Sequence, residues 1–181
     1  MSINCRGALF ALLSSLAISA TAADIVIGTS AGSLVSSILT GRKLRRFAGE
    51  LSLLSKVPKV VDALAPAGNL APSQDHALQL FQQAADNKPE TIKAIGYAAL
   101  AAHAAPAAKM RRSVSAAVRM TKWPAASLNI ATVDTYTGER LIINRAAGVP
   151  VAAASAASSA VPGLFSPQPI LDRKCMDGGV S

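Results

Sequence analysis

Large aromatic side chains are scarce in this chain, and only 4% of its 181 residues are Phe, Trp or Tyr. Proteins that bind single-stranded nucleic acid stack bases on such rings. The scarcity therefore argues against a nucleic-acid partner, although the formal net charge is +8. Cysteine is scarce as well. Cys5 and Cys175 lie near opposite ends without a Cys-x-x-Cys spacing, so the sequence predicts neither a zinc site nor a disulfide framework.

Long hydrophobic runs are also missing. The longest mainly apolar stretch, Gly7–Ala20, is too short to span a bilayer. Because it follows Arg6 and leads into small residues, one interpretation is a secretory signal peptide that ends near Ala22. The interpretation that we favour is a buried helix over Gly7–Leu13 that packs against a sheet. The buried helix implies a cytoplasmic or peripheral membrane protein, whereas the signal peptide implies a secreted one.

Histidine is limited to His76 and His103. Hydrolases that use a Ser-His-Asp triad of the common α/β type carry the histidine late in the chain, after the acid. Both histidines here lie in a region with a helical pattern, where an exposed or hydrogen-bonded role is the ordinary one. The sequence therefore disfavours a histidine-dependent triad.

The most informative segment that is present is the Gly-x-Ser-x-Gly motif at Gly28–Gly32. It lies between a predicted strand, Asp24–Ile27, and a segment that can continue as a helix, Leu34–Leu39. A serine at a sharp strand-to-helix turn is typical of a nucleophile elbow, so Ser30 is the candidate nucleophile. A glycine-rich turn without chemistry is the alternative. A phosphate-binding loop is disfavoured because no Gly-Lys-Ser/Thr follows.

The residues around Ser30 have predicted roles in the elbow. We expect that a Cβ at Gly28 or at Gly32 would collide with the neighbouring strand or helix. The free N–H groups at the start of the helix, that of Ala31 first, and the positive end of the helix dipole would face a developing oxyanion.

The remaining pattern predicts an α/β layered domain with a helical insertion at 42–122. A turn cluster at Asp134–Glu139 joins two strands as a hairpin, and Ser73 is the expected cap of the first inserted helix. The predicted elements are helices over Asp75–Ala85, Thr91–His103, Val151–Ala160 and from Pro106 to about Met120, and strands over Ser127–Val133, Arg140–Asn144 and Arg173–Met176.

Positive charge is concentrated in two clusters, for which a solvated helix face is one interpretation and attraction to an anionic surface is the other. Leu44 and Phe47 interleave the first cluster, which fits a membrane interface better than a nucleic-acid groove. The first cluster is Arg42, Lys43, Arg45 and Arg46, and the second is Lys109, Arg111, Arg112, Arg119 and Lys122.

With no late histidine, the candidate base is a carboxylate. Asp177 ends the last predicted strand, and Gly178 and Gly179 after it allow a tight turn and a close approach to another loop. Asp177 can reach Ser30 if both strand ends emerge on one edge of the sheet. The alternative is an Asp-Gly turn residue without a chemical role.

Four segments together resemble the patatin-like phospholipase family of lipid acyl hydrolases. They are Gly28–Gly32, the Thr-Val-Asp-x-x-Thr-Gly-Glu stretch around Asp134, Ala157–Phe165, and Met176–Gly179. The resemblance covers roughly Gly7 to the end of the chain. It implies a three-layer α/β/α fold with a mixed sheet, and hydrolysis of lipid esters without metal. It also implies a dyad in which Ser30 is the nucleophile and Asp177 is the base.

Two departures from the family pattern lead to a further expectation. The family has a glycine-rich oxyanion loop before its first helix, and Met1–Arg6 contains no such loop. The family also continues past its Asp-Gly-Gly, whereas Ser181 is the last residue here. We therefore expect a single, incomplete domain over 1–181 with weakened hydrolysis, or a non-catalytic remnant that binds anionic lipid or a partner.

Overall fold

The computed structural model of the chain describes residues 23–41 and 70–181. The predicted helix at Gly7–Leu13, the possible signal peptide and the first basic cluster, Arg42–Arg46, lie outside the described residues. The predicted insertion at 42–122 is described from residue 70 onwards. Its predicted extent stays a prediction, as does the assignment of the whole chain to one domain.

Five strands and five helices, with two short 3-10 turns, make up the described part of the chain. The strands are β1 (Val26–Gly28), β2 (Leu128–Asp134), β3 (Arg140–Ile143), β4 (Gln168–Ile170) and β5 (Arg173–Asp177). The helices are α1 (Ala31–Thr40), α2 (Pro72–Gln82), α3 (Pro89–Ala101), α4 (Ala107–Val118) and α5 (Val151–Ser158). The 3-10 turns are Arg145–Ala147 and Gly178–Val180.

The sheet is mixed and is organised around β2. β1 pairs with β2 in parallel and β5 pairs with β2 antiparallel, while β3 forms the predicted hairpin with β2. Ile130 pairs with Gly28 and with Ile143 of β3, whereas Thr132 pairs with Asp177 and with Leu141 of β3. Because a strand has two edges, β1 and β5 both lie on the edge of β2 opposite β3. They run towards each other, and their carboxyl ends meet beside Ala131.

Helices cover both faces of this sheet. On one face, α4 and α5 pack against Leu128 and Ile130 of β2 and Cys175 of β5, within one buried cluster. On the other face, Ile92 and Ile95 of α3 pack against Val133 of β2 and Met176 of β5, whose side chains point to the opposite side of the sheet. Val180, just beyond the end of β5, belongs to the same cluster. Alternate residues of one strand thus contribute to two cores, which gives the three-layer α/β/α architecture that the family resemblance implied.

The boundaries differ from the predicted ones in ways that proline explains. α2 and α3 begin at Pro72 and Pro89 rather than at Asp75 and Thr91, because the first turn of a helix does not use the N–H that proline lacks. Ser73 is therefore inside α2 and does not cap it, so this prediction is wrong. The Ser73 hydroxyl instead accepts the backbone N–H of His103 at 3.1 Å.

Candidate active site

Ser30 links β1 to α1 and has an uncommon backbone conformation. Its φ of 52° and ψ of −132° lie outside the regions that L-residues favour, and such strain persists only where the surroundings hold it. The strand, the tight turn and the helix follow one another within a few residues, as the Gly-x-Ser-x-Gly motif predicted. The strained turn directs the Ser30 side chain away from its own helix and towards β5.

Asp177 is the residue that the Ser30 side chain contacts. The Ser30 hydroxyl donates to Asp177 Oδ2 at 2.7 Å, across a sequence separation of 147 residues. This contact follows from the sheet, because β1 and β5 end side by side on the same edge of β2. A hydroxyl in this position can transfer its proton to the carboxylate in one step.

Gly178 makes this approach possible. A Cβ at Gly178 would lie 2.4 Å from the Ala131 carbonyl oxygen of β2 and 3.1 Å from Thr29 of the elbow. Real Cβ atoms do not approach a backbone oxygen so closely, so only glycine lets the chain turn at the point where β1 and β5 meet. Gly179 contributes through its backbone N–H, which donates to Asp177 Oδ1 at 2.8 Å.

The carboxyl group of Asp177 is almost fully buried, and its residue is 2% exposed. Burial raises the pKa of Asp177 above its usual value, and the hydrogen bonds from Ser30 and Gly179 oppose this effect by stabilising the charged form. Among the described residues, no cation forms an ion pair with it. A carboxylate without a counter-ion in such a site is a stronger base than an exposed aspartate.

Hydroxyl groups from the end of α5, from the residue after it and from α1 hold the backbone of Ser30. Its N–H donates to Ser158 Oγ at 2.9 Å. Its carbonyl oxygen accepts from Ser159 Oγ at 2.9 Å and from Ser33 Oγ at 2.6 Å. The sequence reasoning assigned no role to these three serines, because nothing in the pattern indicates that the end of α5 lies over the elbow.

Comparison with models of known protein families identifies the family of the chain. A model of the patatin-like phospholipase family matches residues 7–181. The chain belongs to the patatin-like phospholipase family. Family membership indicates hydrolase activity of the lipase type, with lipid as the substrate class. A search of curated proteins found no match to the chain.

The two glycines of the elbow in this patatin-like chain differ in their surroundings. A Cβ at Gly28 would lie 2.3 Å from Ser36 Oγ and 2.7 Å from the backbone of Ser33, as predicted. A Cβ at Gly32 would have no heavy atom of the described residues within 4 Å. The predicted collision at Gly32 is therefore wrong, since this position on the first turn of α1 faces away from the sheet.

The start of α1 offers hydrogen-bond donors near Ser30. The N–H groups of Ala31 and Gly32 have no acceptor within the helix, as at any helix start, and no other described residue accepts from them. The next N–H, that of Ser33, donates to the Ser30 carbonyl at 2.9 Å. The positive end of the helix dipole lies at the same place, so the elbow can stabilise negative charge next to the Ser30 hydroxyl.

The described histidines and the described cysteine of this patatin-like chain lie away from the Ser30–Asp177 site. His76 on α2 and His103 after α3 are exposed and contact neither Ser30 nor Asp177. Cys175 is buried, and burial raises the pKa of its thiol to about 12, so the thiolate is scarce at neutral pH. Within residues 23–41 and 70–181, no group of three or more His, Cys, Asp or Glu side chains is arranged to hold a metal ion. No helix of these ranges is long and apolar enough to cross a membrane.

Proposed function

We propose that the chain is a lipid acyl hydrolase of the phospholipase or esterase type, which uses Ser30 as nucleophile and Asp177 as general base without a metal ion. The observation that carries this proposal is the 2.7 Å hydrogen bond from Ser30 Oγ to Asp177 Oδ2. It is supported by the strained elbow and by the raised pKa of Asp177. Family membership adds the substrate class.

The proposed reaction has two steps. Asp177 takes the proton of Ser30 as Oγ attacks the acyl carbonyl, and the N–H groups of Ala31 and Gly32 stabilise the oxyanion. The tetrahedral intermediate collapses to an acyl-enzyme, and the protonated Asp177 returns its proton to the leaving alcohol. Asp177 then takes a proton from a water molecule as the water oxygen attacks the acyl group, and it returns this proton to Ser30 Oγ when the second tetrahedral intermediate releases the fatty acid.

We further propose that basic residues bring the protein to the surface of an anionic membrane, where it acts as a peripheral protein. Arg42, Lys43, Arg45 and Arg46 are the predicted contacts. Among the described residues, Lys109 and Arg112 of the second basic cluster are exposed on α4 and add positive charge. Cationic side chains at a membrane surface each favour binding to anionic lipid by about 1 kcal/mol.

The decisive experiment separates hydrolysis from lipid binding without turnover. The purified chain and its Ser30→Ala variant are treated with a fluorophosphonate probe and assayed on p-nitrophenyl esters. Binding of both proteins to anionic vesicles is measured in parallel. We expect the parent chain to be labelled at Ser30 and to turn over ester, and Ser30→Ala to lose both properties while its vesicle binding stays unchanged.

The matched control is Ser113→Ala. The hydroxyl of Ser113 is exposed on α4 and donates to the Lys109 carbonyl within the same helix, so its removal should change neither labelling nor turnover. If the parent chain binds vesicles but is neither labelled at Ser30 nor active, the hydrolase proposal is wrong. The non-catalytic alternative then describes the chain.

A further inference from the structure

Three consecutive residues, the last of α5 and the two that follow it, contact the Ser30–Asp177 pair. Ser158 Oγ accepts the Ser30 N–H and Ser159 Oγ donates to the Ser30 carbonyl, each at 2.9 Å. The carbonyl oxygen of Ala160 accepts the N–H of Asp177 at 3.0 Å. One short segment of backbone thus holds the candidate nucleophile with its first two residues and the candidate base with its third.

From these contacts we infer that Ser158 and Ser159 are positioning residues, which hold Ser30 in its strained conformation at the distance from Asp177 that proton transfer requires. The inference rests on the proposed function, since it assigns a role within the same reaction. Neither serine is expected to contact the reacting acyl group. Their effect on the reaction is exerted through the backbone of Ser30.

The contacts restrain each torsion that sets the place of the Ser30 hydroxyl. The direction of the N–H, which Ser158 fixes, restrains φ, and the direction of the carbonyl, which Ser159 and Ser33 fix, restrains ψ. The hydrogen bond to Asp177 restrains χ1. Since a backbone in this region relaxes unless its surroundings over-determine it, loss of the Ser158 or Ser159 hydroxyl should let Oγ move away from Asp177 Oδ2.

Ser155 allows this role to be separated from ordinary packing between helices. It lies one turn earlier on α5, is fully buried like Ser158, and directs its hydroxyl at α1. Its Oγ lies 3.3 Å from Ser37 Oγ and makes no contact with Ser30. Removal of the Ser155 hydroxyl therefore weakens the same α1–α5 interface, while the elbow keeps its hydrogen bonds with Ser158 and Ser159.

The experiment compares Ser158→Ala, Ser159→Ala and the control Ser155→Ala in the full chain. We measure kcat and KM on a p-nitrophenyl ester, the rate of Ser30 modification by a fluorophosphonate, and the thermal midpoint. For the Ser158 and Ser159 variants we expect kcat and the modification rate to fall about 10- to 100-fold with KM unchanged, because a displacement of about 1 Å has an effect of this size. Ser155→Ala should keep the parent values of kcat, KM and the modification rate, even if its thermal midpoint falls as much as that of the Ser158 and Ser159 variants.

Three further substitutions keep the test valid if an alanine variant does not fold. Cysteine preserves the side-chain volume but is a weak hydrogen-bond donor and acceptor, so Ser158→Cys and Ser159→Cys should show the same kinetic loss. Ser159→Thr keeps the hydroxyl at a partly exposed position and should restore kcat.

The possible failures are distinguishable. If the fluorophosphonate modifies Ser30 at the same rate in the parent chain and in the Ser158 and Ser159 variants, the positioning role is wrong, but the proposed dyad is not contradicted. An equal kinetic loss in Ser155→Ala would show that interface packing, not the elbow contacts, controls Ser30. If the parent chain itself is not modified at Ser30, the proposed function fails and this inference fails with it.

Discussion

Two buried aspartates end neighbouring strands of the sheet, Asp134 on β2 and Asp177 on β5, and their local contacts are closely similar. Asp134 is 4% exposed and Asp177 is 2% exposed. Oδ1 of Asp134 accepts the backbone N–H groups of Tyr136 and Thr137 at 2.8 and 3.0 Å. Oδ1 of Asp177 accepts the N–H of Gly179 at 2.8 Å. In both cases one oxygen fixes the turn that follows the strand.

The second carboxylate oxygen distinguishes the two residues. Oδ2 of Asp134 lies 3.5 Å from the guanidinium of Arg173, which also binds Glu139. Oδ2 of Asp177 instead accepts the hydroxyl of Ser30, and no described cation pairs with it. A nearby positive charge stabilises a carboxylate as an anion, whereas burial without one leaves it able to take a proton. This difference fits a structural role for Asp134 and the proposed role of Asp177 as a base.

The largest expected effect is that of Asp177→Asn on activity. Because an amide cannot take the Ser30 proton, kcat/KM on a p-nitrophenyl ester should fall about 10²- to 10⁴-fold. The same replacement at Asp134 should leave kcat/KM close to the parent value. It should lower the free energy of unfolding in urea by about 1–2 kcal/mol, chiefly because the hydrogen bonds from the N–H groups of Tyr136 and Thr137 lose their charged acceptor.

The same two variants can also contradict the difference in role between Asp134 and Asp177. Equal losses of activity in Asp134→Asn and Asp177→Asn, with equal losses of stability, would mean that both aspartates only support the fold. A retained activity in Asp177→Asn would exclude it as the base.

The raised pKa of Asp177 should have a smaller effect, which is seen in how activity and stability change with pH. Burial raises the pKa of Asp177, so the acid limb of kcat/KM should have its midpoint above the ordinary aspartate value of about 3.9. Since the folded pKa is raised, the contribution of Asp177 to stability is complete below the unfolded pKa and is lost as the pH rises through the folded pKa. Asp177→Asn should therefore gain stability relative to the parent over that interval.

Urea unfolding of both proteins at a series of pH values, together with the pH profile of kcat/KM, checks this prediction. An acid limb at or below the ordinary value would show that the hydrogen bonds from Ser30 and Gly179 outweigh burial. Asp134→Asn serves as the control, because its acid limb should coincide with that of the parent.

The smallest effect is expected for Arg173→Gln. Its bond to Glu139, 2.8 Å long, lies at the surface, where ion pairs contribute little. The loss of stability should be smaller than that of Asp134→Asn and should diminish further in high salt, which screens exposed charges. Urea unfolding at low and high salt measures it. A loss as large as that of Asp134→Asn would show that Arg173 is the principal partner of Asp134.

The sequence predicted the parts of the site that local pattern determines. The strand–turn–helix at Ser30 and the hairpin between β2 and β3 follow from glycines and from alternation of apolar residues, and both are present. The last strand was also predicted, although it extends one residue further, to Asp177 itself. Local signals such as these act within a few residues of the chain, so they are readable from the sequence.

Contacts between distant segments were not predictable in the same way. β4 was missed because Gln168–Ile170 contains Pro169, and proline in a short run argues against a strand, although an edge strand tolerates it. The meeting of β1 and β5 depends on the register of both with β2, which no short pattern specifies. The contacts of Ser158 and Ser159 with the elbow depend on the packing of α5 on α1, which likewise involves residues far apart in the sequence.

Ser30 and Asp177 are 147 residues apart in the sequence, so any activity that needs their contact depends on how far the chain has folded. The candidate nucleophile and the candidate base meet only after β5 has paired with β2, and contacts between such distant segments form slowly, since a long loop must close first. A partly folded chain that has the elbow but lacks β5 holds a serine without a base. The Ser30–Asp177 contact, on which the proposed hydrolysis depends, is therefore a property of the completed sheet.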